Sequence, residues 1–216
     1  MKLLVIGAGG YFKSFLDTIH PSQFEIVGLL DDRFPNIAEW YGYSVLGSIE
    51  DAEKITKAYD VSNLFITVGN SKIRKSIYSQ LNHLNIGFPV IIDATAVVSR
   101  EATLGQGTFI GKSAIINNDA KLGDFCIVNS GGIVEHGSRI GRNVNISPGA
   151  VINGQVNVGD NTMVGANSVI IQNINIGKDV VIGAGTVIIR DIPDGVIIVG
   201  NPGKIMERNL INDKNI

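Results

Sequence analysis

At 216 residues the chain is long enough for one large domain or two small ones. A formal charge of −2, with both signs mixed along the chain, gives no basis for binding nucleic acid or an anionic membrane surface. A single cysteine excludes a disulfide framework, and no apolar stretch is long enough for membrane insertion, so a reducing, cytoplasmic setting is expected.

The opening Met-Lys-Leu-Leu-Val-Ile-Gly is too short for the apolar core of a signal peptide and reads as a buried strand. This run, Lys2 to Ile6, ends in Gly7-Ala8-Gly9-Gly10. Phe12, Phe15, Leu16 and Ile19 then fall on one side of a helix predicted from Tyr11 to Ile19. Phe24 to Leu30 is a second apolar run, ending in Asp31-Asp32. Leu64 to Val68 is a third, followed by Gly69-Asn70 and a helical stretch from Ser71 to Leu84. Val90 to Ile92 reads as one more strand. Strands alternating with helices predict a small, parallel, Rossmann-like α/β domain over residues 1–92.

In such sheets ligands sit beyond the carboxyl ends of the strands, where all three polar clusters fall. The glycine-rich turn leads into a helix N-terminus, which can cradle a phosphate. Asp31 lies roughly twenty residues on, where an acidic group can take a ribose hydroxyl. The third glycine of the dinucleotide fingerprint is replaced by Phe12, so a complete NAD site is not expected. Each cluster alone also fits an ordinary loop; three at adjacent strand ends point to a ligand.

From Val98 onward the chain is organised by the number six. Steps of six from Val98 reach Leu104, Ile110, Ile116, Leu122, Val128, Val134 and Ile140, then Ile146, Ile152, Val158, Val164, Ile170, Ile176, Ile182 and Ile188. With roughly a quarter of residues Val, Ile or Leu, such a series would arise by chance with a probability of order 10⁻¹⁰. Neither the helical nor the strand period explains it. A hexad fits a short strand plus a turn, and three hexads make one coil of a triangular prism. Two residues before each aliphatic the side chain is small or β-branched, as at Ala102, Thr108, Ala114, Ala120, Cys126, Gly132 and Ser138. The residue after it is often Gly or Asn, which suits a corner. Cys126 falls on an inward position and reads as a small core residue rather than a nucleophile.

The hexads resemble those of the left-handed parallel β-helix acyltransferases, and Gly200-Asn201-Pro202-Gly203-Lys204 is similar to the Gly-Asn-Pro-Ala-Lys that closes many of them. The order of parts, a small α/β domain and then a hexad prism over residues 93–216 with a C-terminal tail, resembles the bacterial sugar acyltransferases of the NeuD and PglD type. The resemblance implies an acetyl-CoA-dependent sugar acetyltransferase in surface-glycan biosynthesis, working as a homotrimer without a metal. It places the sugar, or nucleotide-linked sugar, against Gly9, Gly10, Tyr11, Asp31, Asp32 and Gly69. Coenzyme A is implied between neighbouring prisms, against Asn145, Gly154, Ala166 and Ala184, with Lys204 and Arg208 near its phosphates.

His20 and His83 lie at or within helical stretches and read as surface residues. His136 is the sole histidine of the prism. It sits at or just past a corner and points outward, with Asn118 and Gly154 one coil away on either side; Gly154 leaves space beside the imidazole. Taken alone it could be an exposed or interface histidine without a role. The resemblance makes it the general base, since imidazole as a class titrates near neutral pH and no well-placed Cys or Ser competes. Relatives carry this histidine between two acidic residues, whereas here Val134-Glu135-His136 is followed by Gly137. The second histidine of PglD-type enzymes is Asn145 here. Both departures resemble the sialic-acid, NeuD branch. They also leave open a non-catalytic, scaffolding relative that keeps the sugar site. A γ-class carbonic anhydrase on the same prism would need several interface histidines and is excluded.

Overall fold

The computed structural model describes residues 1–206. The N-terminal sheet comprises β1 (Lys2–Ile6), β2 (Glu25–Leu30), β3 (Glu39–Trp40), β4 (Tyr43–Gly47) and β5 (Asn63–Ile66). Its order is β3-β4-β2-β1-β5, parallel except for the β3–β4 hairpin. Strand β1 lies inside the sheet and is covered on both faces, so Leu3, Leu4, Val5 and Ile6 are all fully buried. Helix α1 (Gly10–Thr18) covers one face through Phe12 and Phe15, with the Phe15 ring stacked 4.9 Å from Phe65. Helices α2 (Ala52–Tyr59) and α3 (Ser71–Leu81) contribute Ile55, Ile77 and Leu81 to the core on the other face.

The hairpin and α2 are absent from the sequence reading above, although both leave local signals. Tyr41-Gly42 carries positive φ at both positions, as a tight hairpin turn requires. Ser48 and Asp51 form a capping box ahead of α2. A further difference concerns the boundary. Ile91–Ile92, expected to end the first domain, pairs in parallel with Phe109–Ile110 and is the first rung of the prism.

The prism is a left-handed parallel β-helix. Partners in neighbouring coils are eighteen residues apart, as Ile115 with Ile133 and Ile133 with Val151. The hexad aliphatics point inward, and from Ile110 to Ile188 every one is buried. Each stabilises the stack by up to about 1.5–3 kcal/mol relative to exposure. The small inward positions are also closed: Ala114, Ala120, Cys126 and Ser138 show no exposed surface. Cys126 donates to the Gly141 carbonyl at 3.0 Å, and burial pushes its thiol up to about 12, which fits a core residue.

The corners correct one expectation. From Gly107 to Gly185 the left-handed backbone falls three residues after each aliphatic, at Ser113, Asp119, Phe125, Gly137, Asn143 and onward, not on the residue directly after it. The glycines directly after the aliphatics answer a different need. A Cβ on Gly159 would lie 2.5 Å from the Lys178 amide of the next coil, so these positions let the coils stack closely.

The prism's three faces differ in their outward residues. One, the docking face, carries Ile91, Phe109, Ile127, Asn145, Met163, Val181 and Ile197, and its first three members are buried beneath the N-terminal domain. The next, the aliphatic face, carries Val97, Ile115, Ile133, Val151, Val169 and Val187. The third, the polar face, carries Thr103, Lys121, Arg139, Asn157 and Asn175.

Candidate active site

The first loop is built to leave backbone donors free. Gly7 has φ +103, and a Cβ there would meet Val68 Cγ2 at 2.9 Å, so the turn requires glycine. Gly9 caps α1 without a side-chain hydrogen bond, and α1 has no acidic residue in its first turn. Among the described residues nothing lies within 4 Å of where a Cβ on Gly9, Gly10 or Gly69 would stand, so a ligand can approach their backbone. These are features of an anion-binding helix start.

Two members of the expected sugar site are differently employed. The Tyr11 ring turns into the domain junction and packs edge-on against Phe109, with centroids 5.3 Å apart. Burial drives its phenol well above the usual range, the Arg74 guanidinium offsetting a part. Tyr11 lies in the first turn of α1, so its backbone N–H is among the donors the helix leaves free. Asp31 accepts from Arg33 Nε at 2.7 Å, from another Arg33 nitrogen at 2.9 Å, from the Arg33 amide at 3.0 Å and from the Ala8 amide at 2.7 Å. Its acceptor positions are filled by its own chain, so its place is to shape the glycine loop rather than to take a ribose hydroxyl. Asp32 caps the Ile49 amide through Oδ1 at 3.0 Å.

The hydrogen bonds from Arg33, set against a burial cost, and then that from the Ala8 amide, lower the Asp31 pKa to about 2. A depressed carboxylate stabilises the fold above its unfolded value, near 3.9, and that contribution is lost as pH falls through about 2. Asp31→Asn should accordingly lower Tm at pH 7 and have little effect at pH 2. Thermal melts at both values check this; equal shifts at both would contradict it.

His136 lies at the corner between the aliphatic and polar faces, in the turn between the rungs Ile133–Val134 and Arg139–Ile140. Its side chain is exposed, and its ring rests on Gly154 in the next coil. A Cβ on Gly154 would fall 2.7 Å from Cε1 and 2.8 Å from Nε2. The imidazole thus takes the space left by the missing side chain. Among the described residues neither ring nitrogen has a hydrogen-bond partner; the Glu135 carboxylate accepts instead from the His136 amide at 3.4 Å. Gly137 has φ +69, so an acidic residue there would cost about 1–2 kcal/mol in backbone strain. Asp119 and Asp179 tolerate the same conformation at equivalent corners.

If His136 is the proton acceptor, Gly154→Ala is expected to displace the ring by enough to lower kcat roughly 10²-fold, since small misplacements of a reacting group cost that much. Tm should change little, because the exposed imidazole can swing aside. Steady-state kinetics beside thermal melting would show this; native kcat in the variant would contradict it.

The remaining expected positions lie elsewhere on the prism. Ala166 and Ala184 sit at the corner between the docking and aliphatic faces, and Asn145 lies on the docking face. The N-terminal domain contacts that face and the two corners beside it, through Asp17–Lys112 at 2.9 Å, Thr18–Asp93 at 3.0 Å and Arg74–Phe125 at 3.2 Å. In a triangular prism the corner holding His136 is opposite the docking face. One chain therefore does not bring its sugar loops, its alanines and its histidine together. Lys204 is exposed on the last, antiparallel strand, and Arg208 lies outside the described residues.

At this junction Met163, Val181 and Arg74 escaped the sequence reading. A cleft of about 890 Å³ opens between the Gly69–Lys72 loop and the docking face, where Asn145, Met163 and Val181 line it. Among the described residues the Asn145 Oδ1 atom is buried without a partner there. Arg74 is 2% exposed and is the largest fully buried side chain. Its only local signal was a charged residue on the inner side of a helix whose other inner positions are Ile77 and Leu81.

Comparison with known proteins agrees with this architecture. Residues 2–81 match the PglD N-terminal domain, and residues 155–190 match the hexapeptide repeat of succinyl-transferase. A curated relative, UDP-N-acetylbacillosamine N-acetyltransferase of Bacillus subtilis (strain 168), is 34% identical over 113 residues, 50% of this chain and 50% of that protein. The aligned stretch thus spans about half of the relative's length. PerB from Caulobacter crescentus, solved with CoA and GDP-perosamine, superposes with a TM-score of 0.90 at 28% identity, covering 96% of this chain and 98% of that one. The acetyltransferase domain of PglB from Neisseria gonorrhoeae FA1090 gives a TM-score of 0.85 at 32% identity, covering 95% and 99%. With both domains matched in order and nearly end to end, the chain belongs to the NeuD/PglD family of two-domain, hexapeptide-repeat sugar acyltransferases.

Proposed function

We propose that the protein transfers an acetyl group from acetyl-CoA directly to the amino group of a nucleotide-linked sugar, at sites shared between the subunits of a homotrimer. The observation that carries the reaction is the His136 imidazole, exposed, seated on Gly154 and without a hydrogen-bond partner among the described residues. In this reading the sugar nitrogen attacks the thioester carbonyl, His136 takes its proton, the carbon–sulfur bond breaks, and the proton passes to the departing thiolate. Asn145 offers an amide N–H to the thioester oxygen. The phosphates of the nucleotide sugar lie at the uncapped start of α1, against the backbone of Gly9, Gly10 and Tyr11, with Asp32 and Gly69 bordering the sugar. Coenzyme A runs past Gly154, Ala166 and Ala184, where small residues admit its thin pantetheine arm.

An amino-sugar acceptor is favoured because PerB was solved with GDP-perosamine and the Bacillus subtilis relative is named for an amino-sugar nucleotide. A sialic-acid acceptor would use the same histidine on a hydroxyl. The aliphatic face supports the trimer. Val97 is 63% exposed, and five more β-branched side chains, each partly exposed, continue the column. Three such faces meeting around a threefold axis close a ring. Each His136 corner then meets the neighbour's alanine corner and, beyond it, the neighbour's cleft.

Release of the CoA thiol should be followed over a panel of nucleotide-linked amino sugars and sialic acids. Turnover with an amino-sugar nucleotide is expected. Absence of acetyl-CoA binding by calorimetry would instead establish a non-catalytic scaffold.

A further inference from the structure

Arg74 carries a charge buried without a carboxylate partner among the described residues. Its guanidinium donates to four main-chain carbonyls: Val68 at 2.9 Å, Gly69 at 3.0 Å, Asn143 at 3.1 Å and, through Nε, Phe125 at 3.2 Å. The first two belong to the loop between β5 and α3; the others belong to two successive coils of the prism. The fastening is reciprocal, because Asn143 donates its side-chain amide to the Ser71 carbonyl at 2.7 Å. Asn143 is 5% exposed and sits in the left-handed conformation with φ 61. Desolvation depresses the Arg74 pKa, and loss of any acceptor would leave a buried donor unpaired.

An apolar residue of similar length would fill this space without that demand. Guanidinium geometry instead fixes two pieces of backbone at once, because its donors form a rigid planar fork. The pieces it joins are the two walls of the cleft. Gly69 to Lys72 form one wall, and Asn145, two residues beyond Asn143, forms the inner end of the other. A ligand held by the loop and reacting across the cleft depends on the spacing that Arg74 sets.

We propose that Arg74, assisted by Asn143, is a positioning residue that locks the sugar-binding loop onto the prism and thereby fixes where the acceptor nitrogen is presented. The inference rests on the acetyltransferase reading of the cleft.

Arg74→Met, Arg74→Lys and Asn143→Gly test it in the full chain; glycine at 143 keeps the left-handed backbone while removing the amide. Expected for Arg74→Met is a 10²-fold lower kcat with the amino-sugar nucleotide and an unchanged Kd for acetyl-CoA. Arg74→Lys should recover part of the loss, and Asn143→Gly should show a several-fold loss of the same kind. Native kcat in Arg74→Met, or equal loss of acetyl-CoA binding in all three variants, would overturn the proposal. Amide hydrogen exchange gives a readout that needs no turnover. Residues 69–73 should exchange at least tenfold faster in Arg74→Met and Asn143→Gly while β1 stays protected; unchanged exchange there would also overturn it. A native protein without turnover whose loop nevertheless loosens in these variants would remove the acetyltransferase reading and leave the lock standing.

Discussion

His136→Ala is expected to lower kcat by roughly 10²–10⁴-fold, the range for losing a positioned proton acceptor. The structure gives the substitution few other consequences. The ring is exposed, lies outside the inward aliphatic column, and occupies the space beside Gly154 of the next coil. Tm and the Kd for acetyl-CoA should therefore stay near native values. His136→Asn, which keeps a polar group of similar reach without its basicity, should be impaired as severely as alanine. An unaltered kcat in His136→Ala would remove the general-base mechanism. A loss in alanine that asparagine restores would make the residue a hydrogen-bonding contact instead.

The prism was legible because its signal is redundant. Each hexad repeats the same inward aliphatic, from Val98 to Ile188 without interruption. His136 was legible for a related reason: the register of the repeat specifies which residues stand one coil away, and so placed Gly154 beside it before any coordinates. The N-terminal domain offered less. Its main strands are continuous apolar runs, but β3 has two residues and α2 has eight, too short for periodicity to rise above composition. Asp31 and Tyr11 show a different limit. The spacing of Asp31 from the glycine loop and the family resemblance at Tyr11 suggested ligand contact, yet neither reveals that Arg33 would claim the carboxylate or that Phe109, some hundred residues away in sequence, would receive the ring. Arg74 was hidden likewise, since all its acceptors are backbone carbonyls and leave no partner residue type to read.

The aliphatic face yields the second large effect. Val151→Glu places a carboxylate in the middle of a column whose neighbours are Ile133 and Val169. If three such faces meet, three carboxylates converge in an apolar setting, where unpaired charge is costly. The variant should run as a monomer by light scattering at micromolar concentration and lose at least about 10²-fold in activity, because each His136 would lose the wall supplied by its neighbour. Mixing experiments separate a shared site from mere loss of stability. His136→Ala and Asn145→Leu should each be inactive as pure trimers. In trimers reassembled from an equal mixture, a working site needs the histidine of one chain and the cleft of the next. The chance is one half times one half, so about a quarter of native activity should return. A site completed within one chain would regain nothing, since every chain carries one lesion. Failure of the mixture to exceed its parents, with reassembly verified, would therefore remove the shared site. Full activity in a monomeric Val151→Glu protein would remove the trimer requirement itself.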